Sequence, residues 1–348
     1  MDRKGLHTAI LSAILFGLSP VACKAIVGQM SPALLAGLLY LGSGLGLTGV
    51  VLRHNINSVQ VLQSLSRRQW INLVGAILSG GVAAPLFLAY GILYGTASEV
   101  SLLLNFEAVA TTLIAWMVFH EHIGRRVWIG KFFIIGASIL VIVAGQGAIR
   151  LSLPGLSVLA ACIFWGIDNN LTRELEDLPP SFLACIKGWS AGLFNVGLAL
   201  LMFGGQVTLF QVGGTLMIGA LSYGVSLVLF IHALRKIGSA RTSTWFASGP
   251  FIGTIAAVFF LGEHPPHEFW VGALIMLSGM VFLYGERHRH VHQHEPQAHS
   301  HPHTHDDEHH RHEHDADEGE GEHDHYHVHE PITHSHVHWP DIHHRHTH

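Results

Sequence analysis

The sequence predicts an all-α integral membrane protein of ten transmembrane helices, arranged as two inverted repeats of five and followed by a disordered tail. Three observations lead to this prediction. The 348 residues are 49% hydrophobic and 12% charged, whereas a soluble domain carries roughly a quarter charged residues. Long apolar runs recur in two related halves. The composition then changes abruptly at about residue 287.

The apolar runs are long enough to cross the hydrocarbon core of a bilayer, which takes about 20 residues. Short polar breaks, many of them with Gly or Pro, separate the runs. Each run is expected to be helical, because lipid offers no hydrogen-bond partner to an exposed backbone amide. We expect helices near residues 6–27, 32–52, 70–93, 98–119, 127–146, 153–172, 181–203, 213–234, 242–261 and 268–285.

Lysine and arginine residues flank alternate loops, and this bias predicts the orientation of the helices. With a cytoplasmic N-terminus, the flanking basic residues fall on the cytoplasmic side and only Arg150 falls outside. The opposite orientation inverts that ratio. Both termini, and with them the tail, are therefore expected in the cytoplasm.

Three blocks of residues recur in the same order at a spacing of 142 to 149 residues. An odd number of helices in each repeat places the second half upside down relative to the first, an arrangement that is frequent in secondary transporters. The first block, Phe16-Gly17 followed by Lys24, recurs as Trp165-Gly166 followed by Arg173. The second, Gly95 to Ser98, recurs as Gly238 to Arg241. The third, Glu121-His122 followed by Trp128 and Gly130, recurs as Glu263-His264 followed by Trp270 and Gly272.

Three segments resemble the drug/metabolite transporter superfamily, in the branch built from two EamA domains. They are Asn105-Phe106-Glu107-Ala108-Val109 with Thr112, Ala115-Trp116 and Phe119-His120-Glu121, then Trp165-Gly166-Ile167-Asp168-Asn169-Asn170-Leu171-Thr172-Arg173, and Leu261-Gly262-Glu263-His264. The resemblance implies a carrier in the bacterial inner membrane, with helices 5 and 10 peripheral and the others lining a central cavity. The expected domains are residues 1–147 (helices 1–5), 148–286 (helices 6–10) and the tail, 287–348.

Ionisable residues inside the spans are costly in lipid and are therefore functional candidates. Glu107 lies about midway along its helix, where a protonatable carboxylate could carry a coupling proton. In the alternative interpretation the charges are structural pairs, Glu107 with Lys24 or Asp168 with Lys187. The predicted substrate and coupling site consists of Glu107, Asp168, Lys24, Lys187, Asn105, Asn169 and Asn170.

Two further groups of residues are assigned structural roles. Glu121 and Glu263 close helices 4 and 9 just outside the apolar runs, and their repetition favours capping or packing over substrate contact. Pro20, Pro85 and Pro250 fall inside spans, where each removes a backbone donor and can kink the helix.

Residues 288–348 contain 23 of the 30 histidines and have a formal charge of −10. Neutral imidazole is the commonest metal ligand and suits Zn, Cu and Ni. We expect this segment to be disordered without metal, because it is too polar to form a hydrophobic core. An inert solvating spacer is the alternative. The candidate ligands for Ni, Co, Zn or Cu are His299, His301, His303, His305, His323, His325, His327, His329, His334, His336, His338, His343, His344 and His346.

The motifs of the chain exclude some functions and leave others open. There is no Walker A pattern and no H-E-x-x-H in a helix, so neither an ATP-driven engine nor a metalloprotease is expected, and no cofactor is required. The leading hypothesis is a secondary transporter that exports a small metabolite. A divalent Ni, Co or Zn transporter or metal-tolerance protein, and a membrane sensor or store for metal without transport, stay open. The expected partners are the lipid bilayer and the small-molecule or metal-ion substrate, without nucleic acid, and a homodimer stays open.

Overall fold

The computed structural model describes residues 3–54, 56, 58–119, 125–143, 152–175, 178–202, 207–237, 245–284, 288–293, 297–303, 323–329 and 333–338. The chain forms two compact units, Met1–Gly285 and Glu286–His348. We call the first unit the body and the second the tail.

The described part of the first half of the body is mostly helical. Ser31, Ser66 and Thr96 begin helices by accepting a hydrogen bond from the backbone N–H three residues on, which satisfies one of the free amides of the first turn. The helices are α1 Arg3–Gly17, α2 Ser19–Ile26, α3 Pro32–Arg53, α4 Ser58–Ser64, α5 Arg67–Ala76, α6 Ala84–Tyr94, α7 Ala97–Leu103, α8 Phe106–Phe119 and α9 Arg125–Val143.

The second half repeats this pattern. Ser152 and Thr208 cap α10 and α12 in the same way. Its helices are α10 Leu153–Arg173, α11 Pro180–Met202, α12 Leu209–Ile218, α13 Ser226–Ile237, α14 Gly249–Leu261 and α15 His267–Tyr284.

Within the residues that the structure describes, each apolar run of the sequence contains helix. Among the described residues, six helical segments are long and apolar enough to span a membrane: Gly5–Ile26, Pro32–Arg53, Arg67–Tyr94, Ala97–Val118, Pro180–Leu201 and Leu209–Ala233. Shorter apolar helices cover Trp128–Ile142, Gly249–Leu261 and His267–Val281. The helix α10 has 21 residues and carries the polar sequence from Asp168 to Asn170. The body is therefore an all-α, multi-pass membrane unit.

The helices are interrupted at related points of the two halves. A π-helix, Ile77–Ala83, separates α5 from α6, and another, Gly219–Val225, separates α12 from α13. Their starting residues are 142 apart, which is the spacing of the repeated glutamates. The chain also turns at residues 104–105, before α8, and at 247–248, before α14. The internal repeat thus includes the irregular turns, and short π-helical stretches occur frequently at functional sites.

The three prolines that were expected to kink spans lie instead where a helix starts anew. Pro20 is in the first turn of α2, Pro85 in that of α6 and Pro250 in that of α14. Proline is well tolerated there because the N–H that it lacks has no acceptor in the first turn of a helix. The interruption comes at the preceding residues, and each proline begins the half-helix that follows.

The two halves of the body meet closely where α3 crosses α11. A Cβ on Gly188 would lie 2.6 Å from the backbone N of Gly44, and one on Gly192 would lie 2.6 Å from the backbone N of Leu41. Glycine is required at both positions because the backbones themselves are in contact. In lipid, where helix association depends on close packing, such contacts between small residues hold helices together.

The described parts of the tail contain strands. β1 His288–Gln293 pairs antiparallel with β4 Thr333–His338, and β2 Gln297–His303 pairs antiparallel with β3 His323–His329. The expectation of disorder therefore differs from the structure over these residues. The alternation of histidine with another residue has the period of a strand, and the pairing places histidine opposite histidine at six positions, from His288 with His338 to His303 with His323.

Candidate functional site

Asp168 and Lys187 form a buried ion pair between α10 and α11. Lys187 Nζ donates to both carboxylate oxygens of Asp168 at 2.6 Å, and Thr172 Oγ1 donates to Asp168 Oδ1 at 2.9 Å. The side chains are 7% exposed for Asp168 and 15% for Lys187. The structure thus forms one of the two pairs that the alternative interpretation named. A role of either residue in substrate binding stays a prediction.

The first π-helix presses against this ion pair. A Cβ on Gly80 would overlap the Asp168 carboxylate, so only glycine fits there. The Gly80 carbonyl accepts hydrogen bonds from Tyr40 Oη of α3 and, at 3.1 Å, from Trp165 Nε1 of α10. A carbonyl in an α-helix normally accepts the amide four residues on, and the altered register of a π-helix changes that pairing. The interruption therefore fixes both the space and the polar contacts beside Asp168.

Glu107 lies one residue into α8, directly after the turn at residues 104–105. Its carboxylate accepts a hydrogen bond from Asn169 Nδ2 at 2.9 Å, and Asn169 also donates to Thr111 Oγ1 at 3.1 Å. Asn169 is exposed and Glu107 is half-buried, so this part of the cluster is accessible. Among the ion pairs of the described residues, none includes Glu107. Glu107 lies in the first turn of α8, where the positive end of the helix dipole stabilises a carboxylate.

Asn170 and Asn105 hold the backbone rather than another side chain. Asn170 Nδ2 donates to the carbonyls of Thr111 at 3.1 Å and Gly166 at 2.8 Å, which joins α8 to α10. Asn105 is buried and donates to the Leu102 carbonyl at 3.1 Å, within the turn that separates α7 from α8. Both residues therefore shape the surroundings of Glu107.

Lys24 lies apart from this cluster. Its ammonium group donates to the carbonyls of Ile92 at 2.8 Å, Leu93 at 2.9 Å and Gly95 at 2.8 Å. The suggested pair of Glu107 with Lys24 is therefore wrong: all three ammonium hydrogens are directed to the C-terminal end of α6, whose last carbonyls have no partner within the helix.

Glu263 caps the neighbouring helix. Its carboxylate accepts from the backbone N–H groups of Ala97 at 2.7 Å and Ser98 at 2.9 Å, in the first turn of α7. The capping role predicted from the sequence is confirmed for this residue. Its counterpart, Glu121, lies outside the described residues.

Two charged residues inside the spans were missed by the sequence analysis. Lys131 of α9 is buried and donates to the Ala108 carbonyl at 2.7 Å. Glu99 of α7 lines a surface pocket of about 310 Å³ together with Tyr94 and Ser152. Both lie within predicted spans, so the rule that selected Glu107 also applies to them.

The predicted metal ligands lie in the tail. Among the described residues there is no group of three or more His, Cys, Asp or Glu side chains that could hold a metal ion. Of the predicted ligands, His305, His343, His344 and His346 lie outside the described residues. Metal binding by the tail therefore stays a prediction.

Comparisons with known proteins cover most of the body. An uncharacterized transporter of Methanothermobacter thermautotrophicus is 25% identical over 297 residues, which is 80% of this chain and 86% of the relative. A protein of Salmonella typhimurium described as a probable amino-acid metabolite efflux pump is 25% identical, over 80% of this chain and 94% of the relative. An uncharacterized inner membrane transporter of the same organism, YicL, is 24% identical over 81% of this chain and 95% of its own length.

The fold and the two halves are matched as well. A crystal structure covering 81% of this chain and 98% of its own superposes with a TM-score of 0.60 at 13% identity, which is a likeness of fold. Residues 3–143 and 153–285 each match the EamA-like transporter family, in agreement with the predicted repeat and the resemblance to drug/metabolite transporters. The chain is thus a multi-pass membrane protein that belongs to the EamA-like transporter family.

Proposed function

We propose that the protein is a secondary transporter that exports a small metabolite across the bacterial inner membrane by alternating access. The observation that carries this proposal is the placement of two polar contacts on successive residues of α10. Asp168 is paired with Lys187, and Asn169 is hydrogen-bonded to Glu107. Charged groups at this depth of a membrane protein are costly and mark a transport path by default.

Both contacts join side chain to side chain, so a substrate can replace one partner without unwinding a helix. A substrate carboxylate can take the place of Asp168 at Lys187 Nζ, and a substrate ammonium group can bind Glu107. A small zwitterion offers both groups. The Salmonella relative described as an amino-acid metabolite efflux pump supports the same class of substrate.

Glu107 is the proposed coupling residue. Its hydrogen-bond partner, Asn169, is neutral, so the carboxylate can gain a proton without leaving a buried lysine unpaired. Asp168 differs, because protonation would break its ion pair with Lys187. Binding of a proton to Glu107 and binding of a substrate to Lys187 can therefore alternate within one site.

The proposed arrangement has ten spans with both termini in the cytoplasm. Its support is the distribution of basic residues, of which only Arg150 would face the outside. In this orientation the turn between α6 and α7 lies on the external side, and the Arg68–Glu174 ion pair of 2.9 Å lies on the cytoplasmic side.

The tail favours a second candidate, transport of or tolerance to a divalent metal such as Ni, Co or Zn. We propose that the tail binds such metals in the cytoplasm, through histidines at paired positions of the strand register, such as His290 and His336. Against a metal substrate, the path contains Lys187, whose charge repels a cation until Asp168 is released from it. Metabolite transport is therefore the leading proposal.

A flux experiment separates the two candidates. Full-length protein and a variant ending at residue 287 are reconstituted into proteoliposomes, and counterflow is measured with a panel of zwitterionic, anionic and cationic metabolites and with Ni²⁺ and Zn²⁺. We expect counterflow of a zwitterion, equal for the two proteins. Metal flux without flux of any organic solute would reverse the choice of substrate, and no flux of any kind would favour a sensor or store.

A further inference from the structure

The turn between α6 and α7 is held by two charges from other parts of the body. Lys24, in the last turn of α2, donates to three carbonyls at the end of α6. Glu263, directly after α14, accepts two amides at the start of α7. Each charge has the sign that the helix end attracts, because free carbonyls make a C-terminus negative and free amides make an N-terminus positive.

The geometry after α14 aims Glu263 at this turn. Gly262 ends α14 in the left-handed conformation, with a φ of 65°, which turns the chain back at the next residue. Hydrogen bonds with a charged partner are about twice as strong as neutral ones. Five of them, between 2.7 and 2.9 Å, therefore join helices from both halves of the repeat at one point.

Every helix joined at this point is a half-helix with an interruption at its other end. The turn at Leu18 precedes α2, and the π-helix Ile77–Ala83 precedes α6. The turn at residues 104–105 follows α7, and the turn at 247–248 precedes α14. Uninterrupted helices would spread a movement along their whole length, whereas these four can pivot at their interruptions.

Three of these half-helices, α2, α7 and α14, also share a small apolar cluster. Val21 of α2, Ala97 of α7, and Ala256 and Ala257 of α14 are buried against one another. This cluster is separate from the main core of the body. The half-helices α2, α7 and α14 are thus packed together, and the hydrogen bonds of Lys24 join α6 to α2.

We propose that Lys24 and Glu263 form a latch that ties these four half-helices into one gate and that the gate closes the external end of the transport path. The proposal rests on the proposed function for its orientation and for the existence of a path. It assigns Lys24 to the gate rather than to the substrate site. Release of substrate then requires the two charges to leave the helix ends, after which the block turns about its four interruptions.

Two native cysteines can report the position of the gate. Cys23 precedes Lys24 and is fully buried, and Cys185 lies in the opposite part of the body, within 3.6 Å of the Gly44 carbonyl. In a Cys162→Ala background, an impermeant maleimide is applied to right-side-out and inside-out vesicles, and mass spectrometry quantifies each cysteine. The variants are Glu263→Gln and Lys24→Met. Glu268→Gln, which removes an exposed charge nearby, is the matched control.

An opened latch should expose Cys23 to the outside at a rate about tenfold higher, the effect of losing a charged hydrogen bond. Alternating access also demands that Cys185 be labelled more slowly from the inside, because the two ends do not open together. Faster labelling of Cys23 with an unchanged Cys185 means local fraying and overturns the proposal, as does no change at Cys23. Glu268→Gln should resemble the wild type.

The assay separates this proposal from the proposed function, because it uses no substrate. Reciprocal labelling in a protein that transports none of the tested solutes would keep the gate and reject the metabolite. Reciprocal labelling with Cys23 reacting from the cytoplasmic side would keep the latch and reverse the orientation. If Lys24→Met does not fold, Lys24→Arg, which retains the cation, should show labelling close to that of the wild type, and a tenfold rise in that variant counts against the latch.

Discussion

Two lysines inside the body, Lys24 and Lys187, are stabilised in different ways. Lys24 is held by three backbone carbonyls at the end of α6, and Lys187 is held by the side chain of Asp168. A backbone carbonyl can leave only if its helix moves. A carboxylate side chain can rotate away or be replaced by a ligand. The partner of a buried charge, more than its burial, therefore indicates whether the charge holds a conformation or binds a substrate.

The largest effect is expected when one partner of the side-chain pair is removed. Lys187→Met leaves Asp168 as an uncompensated buried charge, which should lower the free energy of unfolding by about 3–5 kcal/mol. Lys24→Met removes a cation and leaves carbonyls that have lost one partner, so a smaller loss of about 1–3 kcal/mol is expected. Thermal unfolding in detergent compares the two variants. Equal losses would remove the distinction between the two lysines.

The double variant Asp168→Asn with Lys187→Met tests the role of the ion pair in transport. Removal of both charges should recover much of the stability lost in Lys187→Met, because no unpaired charge remains. Counterflow should stay at background. A double variant that is stable and transports normally would show that the pair serves the fold alone.

Gly80→Ala should have the next largest effect. The added methyl group would overlap the Asp168 carboxylate, and overpacking of this kind costs about 1–3 kcal/mol. Gly49→Ala is the matched control, because a Cβ on Gly49 of α3 meets nothing within 4 Å. It should be neutral or stabilising by up to about 1 kcal/mol, as expected for alanine in place of glycine in a helix. Thermal midpoints that move together in the two variants would contradict the close contact between the π-helix and Asp168.

Glu107→Gln should change coupling more than stability. The amide oxygen of glutamine can still accept from Asn169, so the thermal midpoint should shift little. Uptake driven by a proton gradient should fall at least about tenfold, whereas counterflow, which needs no net proton movement, should survive. Normal driven uptake would exclude Glu107 as the coupling residue. Asn169→Ala in parallel shows how much of any change comes from the hydrogen bond.

Much of the body was predictable because the bilayer imposes a simple rule on sequence. Apolar length gave the helix positions, and the paired glutamates identified the repeat that also contains the two π-helices. The buried state of Cys23, Cys162 and Cys185 follows from the same apolar runs. The Asp168–Lys187 pair was among the alternatives because both residues are ionisable and inside spans.

The contacts of Lys24 and the turn before α8 could not be predicted, because they depend on backbone groups. Sequence marks Lys24 as a charge in a span, but the carbonyls that bind it belong to Ile92 and Leu93, whose side chains give no sign of this role. The turn before α8 falls at Leu104 and Asn105, without glycine or proline. Within this break, Asn105 donates to the Leu102 carbonyl three residues earlier, a local contact that the apolar pattern of the sequence does not indicate.

The smallest effect on the body is expected from removal of residues 288–348. The tail forms a compact unit separate from Met1–Gly285, so the thermal midpoint of the metal-free body should be unchanged. Calorimetric binding of Ni²⁺ or Zn²⁺ should disappear, because the truncation removes 23 of the 30 histidines. In the full-length protein the affinity should fall below about pH 6, since only neutral imidazole binds metal. Unchanged stoichiometry after truncation would place the metal sites in the body, where Lys187 and Lys24 would then have to share their surroundings with a cation.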